Sequence, residues 1–378
     1  MPIDQTRLRR EIEDIAERYR AAGYFPSACV RVFSRSETLA AACVGDARED
    51  SLFDAASLTK IATTLQILRL VNGGLLALDE EICDALPALR KDAFLCGRLK
   101  GVTLRRMLTH TSSLPAWYPF YALESRGFAA DLAFVLSHTE ETHGTVYSDL
   151  NFILLGKVLE WIQKKPLAQC LREDLVQPLH LGNMTYLPEK SLPIVPSCYG
   201  NPIEEKMCRE RNLSFSSFRP ADRPVRGEVN DGNAHYYFGG VSGHAGIFAD
   251  AAAWERLCRF CMNSKDPLLL EAQKEQPGAD GRGLGFQTGM SYPHGCGHTG
   301  FTGTGIYFSA KYNVGVVSLT NRLFYPQENP NATWEFRRAL HEAAFALAGQ
   351  YAESLRFGLT KKRKRGIMNK NRCGCINI

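Results

Sequence analysis

The chain has 378 residues, 45% of them hydrophobic and 22% charged, which is enough for one large domain or two interlocked ones. Its N-terminal stretch lacks the apolar core of a signal peptide, and no later run approaches the roughly 18 apolar residues of a membrane span, so we expect a cytoplasmic protein. Seven of the basic residues behind the formal net charge of +5 lie in residues 361 to 378, and the remaining 38 basic and 40 acidic residues exclude a basic groove for nucleic acid.

Apolar periodicity predicts the first elements of the chain. Residues 3 to 22 have the spacing of an amphipathic helix. Two short strands, residues 28 to 33 and 38 to 44, follow it with a hairpin turn between them. Residues 57 to 72 then repeat apolar side chains at helical spacing before a Gly-Gly stop, which predicts one buried helix.

The rest of the chain divides into a helical middle and a mixed end. Residues 79 to 182 carry mainly helical signals, whereas residues 183 to 235 are rich in proline and charge and are predicted to be irregular. The helical segments of the middle are residues 104 to 108, 128 to 136, 152 to 162 and 167 to 176. Towards the end we predict strands at residues 300 to 308 and 314 to 320 and a last helix at residues 333 to 348.

Strands at both ends with helices between them predict the fold class. The order favours an α/β fold of the α+β type, in which one antiparallel sheet is built from both chain ends, is flanked by helices and carries an inserted helical subdomain. We assign residues 1 to 352 to this domain, with the sheet part at about 1 to 56 and 255 to 352 and the helical part at about 57 to 254. Residues 353 to 378 are predicted to form a basic, disordered tail.

The tail ends in Cys375-Ile376-Asn377-Ile378, which superficially resembles a prenylation signal. The position two residues after the cysteine is normally aliphatic, and Asn377 is not. We therefore expect no lipid on Cys375 and no attachment to a membrane through the tail.

The 12 cysteines are scattered and often stand among apolar residues, as at Cys29, Cys43, Cys170 and Cys258. In a chain without an export signal, this pattern indicates reduced thiols packed in the interior. Cys258 and Cys261 lie one helical turn apart, but no second pair of ligands has matching spacing, so we predict packing there and no metal site.

The strongest chemical signal is Ser57-Leu58-Thr59-Lys60 at the start of the predicted buried helix. Positions i and i+3 share a helix face, so the Lys60 ammonium should lie beside the Ser57 hydroxyl, at a helix end that favours negative charge. A serine hydroxyl alone is a poor nucleophile, and a neighbouring base activates it. Ser-x-x-Lys also occurs by chance, as a capping serine followed by a surface lysine, so other motifs must support this interpretation.

Three other stretches carry polar residues or glycines next to predicted helices and strands. Tyr147-Ser148-Asp149 precedes a long apolar helix, and Ser148 or Asp149 could cap that helix. A tyrosine held near a lysine can also relay a proton. His298-Thr299-Gly300 opens a run of glycine and threonine within an apolar strand, as where a ligand or another backbone approaches closely. Residues 239 to 246 are glycine-rich without the Lys-Ser/Thr ending of a phosphate loop, so we predict a tight turn near the pocket.

In this order, Ser57-Leu58-Thr59-Lys60, Tyr147-Ser148-Asp149 and His298-Thr299-Gly300 resemble the signatures of the penicillin-recognising serine hydrolases, which are Ser-x-x-Lys, Tyr-x-Asn and Lys-Thr-Gly or His-Thr-Gly. The chain looks most like the branch of class C β-lactamases, DD-peptidases and related esterases, over most of residues 25 to 325. Shorter segments that also look similar are residues 108 to 115, 226 to 229 and 319 to 322.

The resemblance implies a catalytic set that needs no metal or cofactor. Ser57 would attack an ester or amide carbonyl to give an acyl-enzyme that water hydrolyses, while Lys60 and Tyr147 would move the proton. The backbone N–H groups of Ser57 and Phe301 would form the oxyanion hole, in which one donor is typically worth roughly 2.7 to 4 kcal/mol. The residues that would contact the substrate are Asp149, His298, Thr299 and Gly300.

Two departures from the family pattern bear on the substrate. Asp149 stands where the family often has asparagine, so a potential anion that would repel an anionic β-lactam replaces an amide donor. His298 stands where many β-lactamases have lysine, and an imidazole with a pKa near about 6.5 offers little positive charge at neutral pH. We therefore favour an esterase-like hydrolase of a small ester or amide that prefers uncharged esters, with DD-peptidase or β-lactamase activity as the alternative.

Two further alternatives belong to other classes. A non-catalytic binding protein that keeps the fold is disfavoured by the complete set of Ser57, Lys60 and Tyr147. An α/β-hydrolase is disfavoured because the sequence contains no Gly-x-Ser-x-Gly elbow. His110 and His244 match no catalytic role and are predicted to stabilise loops. The expected partner is a small acyl substrate, and the sequence leaves the acyl group, the leaving group and the oligomeric state open.

Overall fold

The computed structural model of the chain describes residues 4 to 325 and 332 to 347. Its α-helices are α1 (Gln5–Ala21), α2 (Thr59–Asn72), α3 (Ile82–Ala85), α4 (Ala93–Arg98), α5 (Leu104–Leu108), α6 (Phe128–Ser137), α7 (Asp149–Gln163), α8 (Leu167–Leu171), α9 (Pro202–Glu210), α10 (Ala251–Asn263), α11 (Pro267–Ala272) and α12 (Ala332–Leu347). Its strands are β1 (Ala28–Phe33), β2 (Thr38–Val44), β3 (Phe53–Asp54), β4 (Thr185–Tyr186), β5 (Cys198–Tyr199), β6 (Pro224–Val225), β7 (Ile247–Ala249), β8 (Cys296–Thr299), β9 (Gly305–Ser309) and β10 (Val314–Thr320).

The main sheet joins the two ends of the chain. Its five strands lie in the order β2-β1-β10-β9-β8, and each neighbouring pair is antiparallel. β1 pairs with β10 from Ala28 opposite Thr320 to Phe33 opposite Gly315. The predicted fold class is therefore confirmed, since one antiparallel sheet is built from both chain ends.

Helices cover both faces of the main sheet. On one face, buried side chains of α1 and α12 join a cluster that contains Val316 of β10. On the other face, Trp254 of α10 belongs to the larger core, which contains Val317. Because successive strand residues point to opposite faces, β10 contributes to both clusters, and all of its residues are buried.

The helical part lies between these strands in sequence. α2 packs against α7 and α8 in the larger core, and most of α2 is buried. Two smaller sheets accompany it, one of β3-β7-β4 and one of β5-β6. β3 leads directly into the start of α2 through a 3-10 turn at Ala56–Leu58.

Several predicted boundaries are wrong. Residues 300 to 304 form a turn between β8 and β9 instead of a strand, because Gly303 has a φ of +103° and the Gly300 N–H donates to the Thr304 carbonyl oxygen over 2.8 Å. The buried helix begins at Thr59, since Ser57 lies in the preceding 3-10 turn. The stretch predicted to be irregular contains α9, an amphipathic helix with Pro202 in its first turn.

The cysteines depart from the prediction at one pair. Cys29 and Cys43 lie opposite each other in β1 and β2 and form a disulfide, so the expectation of reduced thiols is wrong for these two residues. Cys170 and Cys258 are free and buried, as predicted. No helix among the described residues is long and apolar enough to cross a membrane. The predicted tail, with Cys375, lies outside those residues.

Candidate active site

Ser57 is held by the turn that connects β3 to α2. The Asp54 carboxylate fastens this turn by accepting the Ala56 N–H over 2.9 Å and the Asn230 N–H over 2.6 Å. Ala56 has a φ of +46°, a strained value for a residue with a Cβ. Burial raises the pKa of Asp54 to about 6. Asp54 therefore fixes the backbone next to Ser57, and no local pattern in the sequence indicated it.

Lys60 lies at the bottom of the site with no exposed surface. Its Nζ donates to Ser57 Oγ over 3.0 Å and to the His244 carbonyl oxygen over 3.0 Å, and it lies 2.8 Å from Asp149 Oδ1 in an ion pair. Burial alone would lower the pKa of Lys60, but the Asp149 carboxylate and Tyr147 outweigh burial and raise it. Lys60 is therefore protonated at neutral pH and donates to the serine.

Tyr147 and Asp149 enter the site at the start of α7, Tyr147 from the preceding turn and Asp149 as the first residue of the helix. Lys60 Nζ lies 5.0 Å from the centroid of the Tyr147 ring. Neither residue after the tyrosine caps the helix with its side chain, because Ser148 Oγ donates to the Pro115 carbonyl oxygen over 2.7 Å and Asp149 faces Lys60. Tyr147 and Asp149 thus lie beside the lysine, whereas Ser148 is bonded to the Pro115 carbonyl oxygen.

His110 supports this turn from behind. The backbone N–H of Ser148 donates to His110 Nδ1 over 3.1 Å, and the His110 ring lies 4.5 Å from the Tyr147 ring, centroid to centroid. Burial and the charges of Arg282 and Lys60 hold the pKa of His110 well below its usual value, so the ring is neutral and can accept that bond. The geometry agrees with the loop-stabilising role predicted for His110.

His298 lies on β8, on the sheet side of the site. Its Nδ1 lies 2.8 Å from the Thr299 carbonyl oxygen, which assigns the ring proton to Nδ1. Its Nε2 is buried and has no hydrogen-bond partner among the described residues. Burial and the charges of Lys60 and Arg282 hold the pKa of His298 well below its usual value. Its Nε2 is therefore an unfilled acceptor and carries no positive charge.

The turn after β8 is fastened to the segment before Ser57. Thr302 Oγ1 donates to the Asp54 carbonyl oxygen over 2.7 Å, and Thr304 Oγ1 donates to the Ala55 carbonyl oxygen over 2.9 Å. A Cβ on Gly300 would lie 2.0 Å from Thr304 Oγ1, so only glycine fits there. These bonds place the Phe301 backbone and the Ser57 backbone on adjoining segments, and their joint role as an oxyanion hole stays a prediction.

Arg282 adds a positive charge that the sequence motifs did not indicate. Its Cζ lies 5.2 Å from the centroid of the Tyr147 ring. No described residue accepts a hydrogen bond from its guanidinium, and the side chain is half-buried. Its backbone is held at the edge of the sheet, because the Gln276 N–H donates to the Arg282 carbonyl oxygen over 2.8 Å and Gln287 exchanges hydrogen bonds with Gly297. Arg282 is thus a positioned cation without a bonded partner in the described chain.

His244 and Asp231 form a second pair beside Lys60. His244 Nε2 lies 2.9 Å from Asp231 Oδ1, and His244 Nδ1 lies 2.8 Å from Ser242 Oγ. Burial would raise the pKa of Asp231, but His244 and Lys60 lower it. Asp149, Asp231 and His244 place ligand atoms within 4.8 Å of one another, the one such group in the described chain. The Lys60 ammonium is already paired with Asp149, so this group of residues has a cation beside it.

The glycine-rich segment at residues 239 to 246 lies beside Lys60. It supplies the His244 carbonyl oxygen to Lys60 and the Gly243 carbonyl oxygen to Thr63 Oγ1 over 2.7 Å. A Cβ on Gly243 would lie 2.2 Å from the Phe152 carbonyl oxygen, so the segment packs directly on α7. The structure thus brings all the motif residues to one site, whereas their catalytic roles stay predictions.

A family model described as Beta-lactamase matches residues 12 to 340. The chain belongs to this family. This beta-lactamase family member is therefore a serine hydrolase, as the three motifs predict.

Two curated relatives match it along most of its length. An N-acetylmuramyl-L-alanine amidase of Bacillus subtilis (strain 168) is 28% identical over 377 residues, covering 86% of this chain and 84% of that protein. A putative D-alanyl-D-alanine carboxypeptidase of Salmonella typhimurium is 25% identical over 317 residues, covering 75% of this chain and 72% of that protein.

Solved structures agree on the fold of this beta-lactamase family member. EstCE1, a hydrolase with promiscuous acyltransferase activity, has a TM-score of 0.66 at 17% identity and covers 90% of this chain and 99% of its own. A class C beta lactamase from Rhodobacter sphaeroides has a TM-score of 0.63 at 17% identity, with 89% and 99% covered. At such identities the likeness shows the fold alone.

Proposed function

We propose that this protein hydrolyses a small ester or amide through an acyl-enzyme formed on Ser57. The observation that carries the proposal is the buried Lys60 ammonium, 3.0 Å from Ser57 Oγ and 2.8 Å from Asp149 Oδ1. A buried cation stabilises negative charge on the serine oxygen as it forms, in a place that water screens poorly. The names of the two curated relatives, an amidase and a putative carboxypeptidase, support cleavage of an acyl bond.

In the proposed reaction, Ser57 Oγ forms a bond to the substrate carbonyl carbon while its proton leaves. The carbonyl oxygen becomes an oxyanion, which the backbone N–H groups of Ser57 and Phe301 would stabilise. The bond to the leaving group then breaks as that group receives a proton, for which Tyr147 is well placed beside Lys60. Water then attacks the carbonyl carbon of the acyl-enzyme in the same way, which releases the acyl group and frees Ser57.

The charges around the site bear on the choice of substrate. The predicted preference for uncharged esters assumes a free Asp149 carboxylate, but that carboxylate is paired with Lys60. Arg282 adds a guanidinium with no hydrogen bond to the described residues. Guanidinium groups bind carboxylates well, so this observation favours a second candidate function, peptidase or β-lactamase activity on a substrate that carries a carboxylate.

Hydrolysis of a substrate panel tests the proposal. The panel holds a neutral aryl ester, a dipeptide with a free carboxylate, the same dipeptide as an amide, and a chromogenic cephalosporin. We expect hydrolysis of at least one compound, and loss of kcat/KM by more than about 100-fold in Ser57→Ala, equivalent to about 2.8 kcal/mol. Ser36→Ala, in the exposed turn between β1 and β2, serves as the matched control.

Retention of more than about a hundredth of wild-type activity in Ser57→Ala would rule out the covalent mechanism. No turnover of any compound by the wild type would instead contradict the choice of a small ester or amide as substrate. The proposed partner is a small acyl substrate, and the cytoplasmic location stays a prediction from the sequence.

A further inference from the structure

An arginine lies behind the turn that follows β8. Arg337 of α12 passes over Gly305 of β9, where an added Cβ would lie 2.9 Å from Arg337 Nε. Its Nη2 donates to the Gly300 carbonyl oxygen over 3.3 Å and to the Thr304 carbonyl oxygen over 2.6 Å. The guanidinium therefore binds both ends of the turn.

The charge of Arg337 has no counter-charge beside it. None of the described carboxylates pairs with it, and its Nε is buried without a hydrogen-bond partner in the described chain. Burial lowers the pKa of Arg337 to about 10, so the guanidinium still carries its charge at neutral pH. An unpaired buried charge costs free energy in the resting protein, and negative charge that forms nearby during a reaction offsets this cost.

The carbonyl oxygen that Arg337 binds belongs to the peptide group that carries the Phe301 N–H. The Gly300 carbonyl and this N–H are the two ends of one planar group. No described residue accepts a hydrogen bond from the Phe301 N–H, which the proposed mechanism directs at the substrate oxyanion. A charged donor at the carbonyl end draws electron density away from the nitrogen end, so the N–H becomes a stronger donor.

We propose that Arg337 is a positioning residue of the oxyanion hole, which holds and polarises the peptide group between Gly300 and Phe301. The inference rests on the proposed acyl-enzyme function and concerns only the oxygen of the substrate carbonyl. As the serine oxygen bonds to the carbonyl carbon, the π pair moves to that oxygen, and the polarised N–H stabilises it. The role of Lys60 and Tyr147 in moving the proton is unchanged.

Arg322 is the neighbouring cation and is less suited to this role. Its Nε donates to the Phe301 carbonyl oxygen over 2.7 Å, and its Cζ lies 5.2 Å from the centroid of the Phe301 ring. That carbonyl belongs to the next peptide group, whose N–H is on Thr302. Arg322 therefore holds the Phe301 side chain and the following peptide group, whereas Arg337 binds the group that carries the Phe301 N–H.

The expected effect on the rate is modest because Arg337 acts through a peptide group. Removal of one oxyanion donor typically slows catalysis by about 100- to 1,000-fold. A hydrogen bond strengthens the next one in a chain by about 10 to 30%. Loss of this strengthening should therefore slow catalysis by about 2- to 8-fold, in kcat and not in KM.

Infrared spectroscopy of the acyl-enzyme tests the inference. The probe is p-nitrophenyl acetate with and without an isotope label in its carbonyl carbon, so the difference spectrum isolates the ester carbonyl stretch at Ser57. Stronger donors in the hole lower the wavenumber of this stretch. In Arg337→Gln we expect a higher wavenumber and a kcat for nitrophenolate release that is about 2- to 8-fold lower. Arg338→Gln, on the same helix and paired with Glu342, is the matched control and should equal the wild type in both.

A second variant displaces the guanidinium without removing its charge. Gly305→Ala adds a Cβ whose nearest neighbours are the Arg337 side chain and Ser318 Oγ, so the arginine must move. The carbonyl stretch should again move to higher wavenumber. Thermal unfolding identifies which of the two variants is folded, and each folded variant tests the inference by itself.

The outcomes separate the inference from the function on which it rests. An unchanged carbonyl stretch in a folded Arg337→Gln or Gly305→Ala variant would overturn the inference, even if thermal stability fell, because Arg337 would then only support the fold. An equal change in Arg338→Gln would overturn it as well. Absence of an ester carbonyl band in the wild type would contradict the acyl-enzyme function itself.

Discussion

The two walls of the site differ in whether their charged and polar groups have hydrogen-bond partners. The helical wall consists of Ser57, Lys60, Tyr147 and Asp149, and its ammonium is bonded on every side. The sheet wall consists of Arg282 and residues 298 to 301, and it presents a guanidinium and an imidazole nitrogen without hydrogen-bond partners among the described residues.

The difference assigns separate tasks to the two walls. A buried, fully bonded charge is fixed in position, which suits proton transfer at Ser57. Polar atoms left unpaired at a site cost free energy until a ligand satisfies them, which suits recognition of a substrate. The helical wall should therefore govern the rate of the chemical step, and the sheet wall should govern which substrate is accepted.

Removal of the cation from the helical wall should have the largest effect. We expect Lys60→Met to lower kcat/KM at least about 1,000-fold, or about 4 kcal/mol, since the serine oxygen loses its charged donor. Steady-state kinetics on the best substrate of the panel measure it. Lys157→Met, on α7 and paired with Glu160, is the control that should keep full activity. A loss below about tenfold in Lys60→Met would contradict the division of tasks.

The Asp54 carboxyl, where both walls join, should make stability depend on pH. The pKa of Asp54 is about 6 in the folded chain against a usual 3.8. At a pH between these two values the folded chain therefore binds a proton that the unfolded chain does not. The stabilisation is complete below about pH 4 and lost as pH rises to about 6, a change of about 3 kcal/mol. Denaturant unfolding at several pH values should show the wild type losing this much relative to Asp54→Asn. A constant difference between the two proteins would contradict the assignment.

Arg282 offers the next test, on the sheet wall. If its guanidinium binds a substrate carboxylate, Arg282→Gln should lower kcat/KM for the free dipeptide by about 10- to 30-fold, or about 1.4 to 2 kcal/mol, mainly through KM. The amide-capped dipeptide serves as the internal control and should be affected little. Equal losses on both substrates would show that Arg282 only supports Tyr147.

The bond that fastens the sheet wall to the nucleophile turn should give the smallest effect. Thr304→Val removes the side-chain hydrogen bond to the buried Ala55 carbonyl oxygen, which keeps only the Leu58 N–H as a donor, so we expect a loss of about 1 kcal/mol in the free energy of unfolding. Thr64→Val is the matched control, because Thr64 Oγ1 is buried without a partner in the described chain and its removal should cost nothing. Equal destabilisation by both changes in thermal unfolding would contradict this reading of the bond.

Local patterns predicted the elements that depend on local spacing. The strands at residues 28 to 33, 38 to 44 and 314 to 320 have the predicted bounds, because runs rich in small and β-branched residues match a sheet covered on both faces. Ser57 and Lys60 were found for a similar reason, since three residues of helix bring them together. The disulfide between Cys29 and Cys43 had only a partial signal, because the predicted strands and turn pair Cys29 with Ala42, and a register shift between Val32 and Phe33 brings Cys43 opposite Cys29.

Contacts between distant parts of the chain had no such signal. Asp54 binds the backbone of Asn230, the His244 carbonyl oxygen meets Lys60, and Arg282 reaches Tyr147 only after the whole domain has folded. The sequence showed Asp149 as a departure from a motif, but its pairing with Lys60 depends on how α7 packs on α2. Motif reasoning thus found the reacting residues and missed the groups that set their charge.

Trapping of the reaction intermediate tests the central claim most directly. The wild type is mixed with its best neutral ester substrate, quenched in acid during turnover, and digested for mass spectrometry. We predict a mass increase equal to the acyl group on the peptide that contains Ser57, and no such adduct in Ser57→Ala. Steady turnover with the acyl group on another residue, or an equal adduct in Ser57→Ala, would contradict an acyl-enzyme at Ser57.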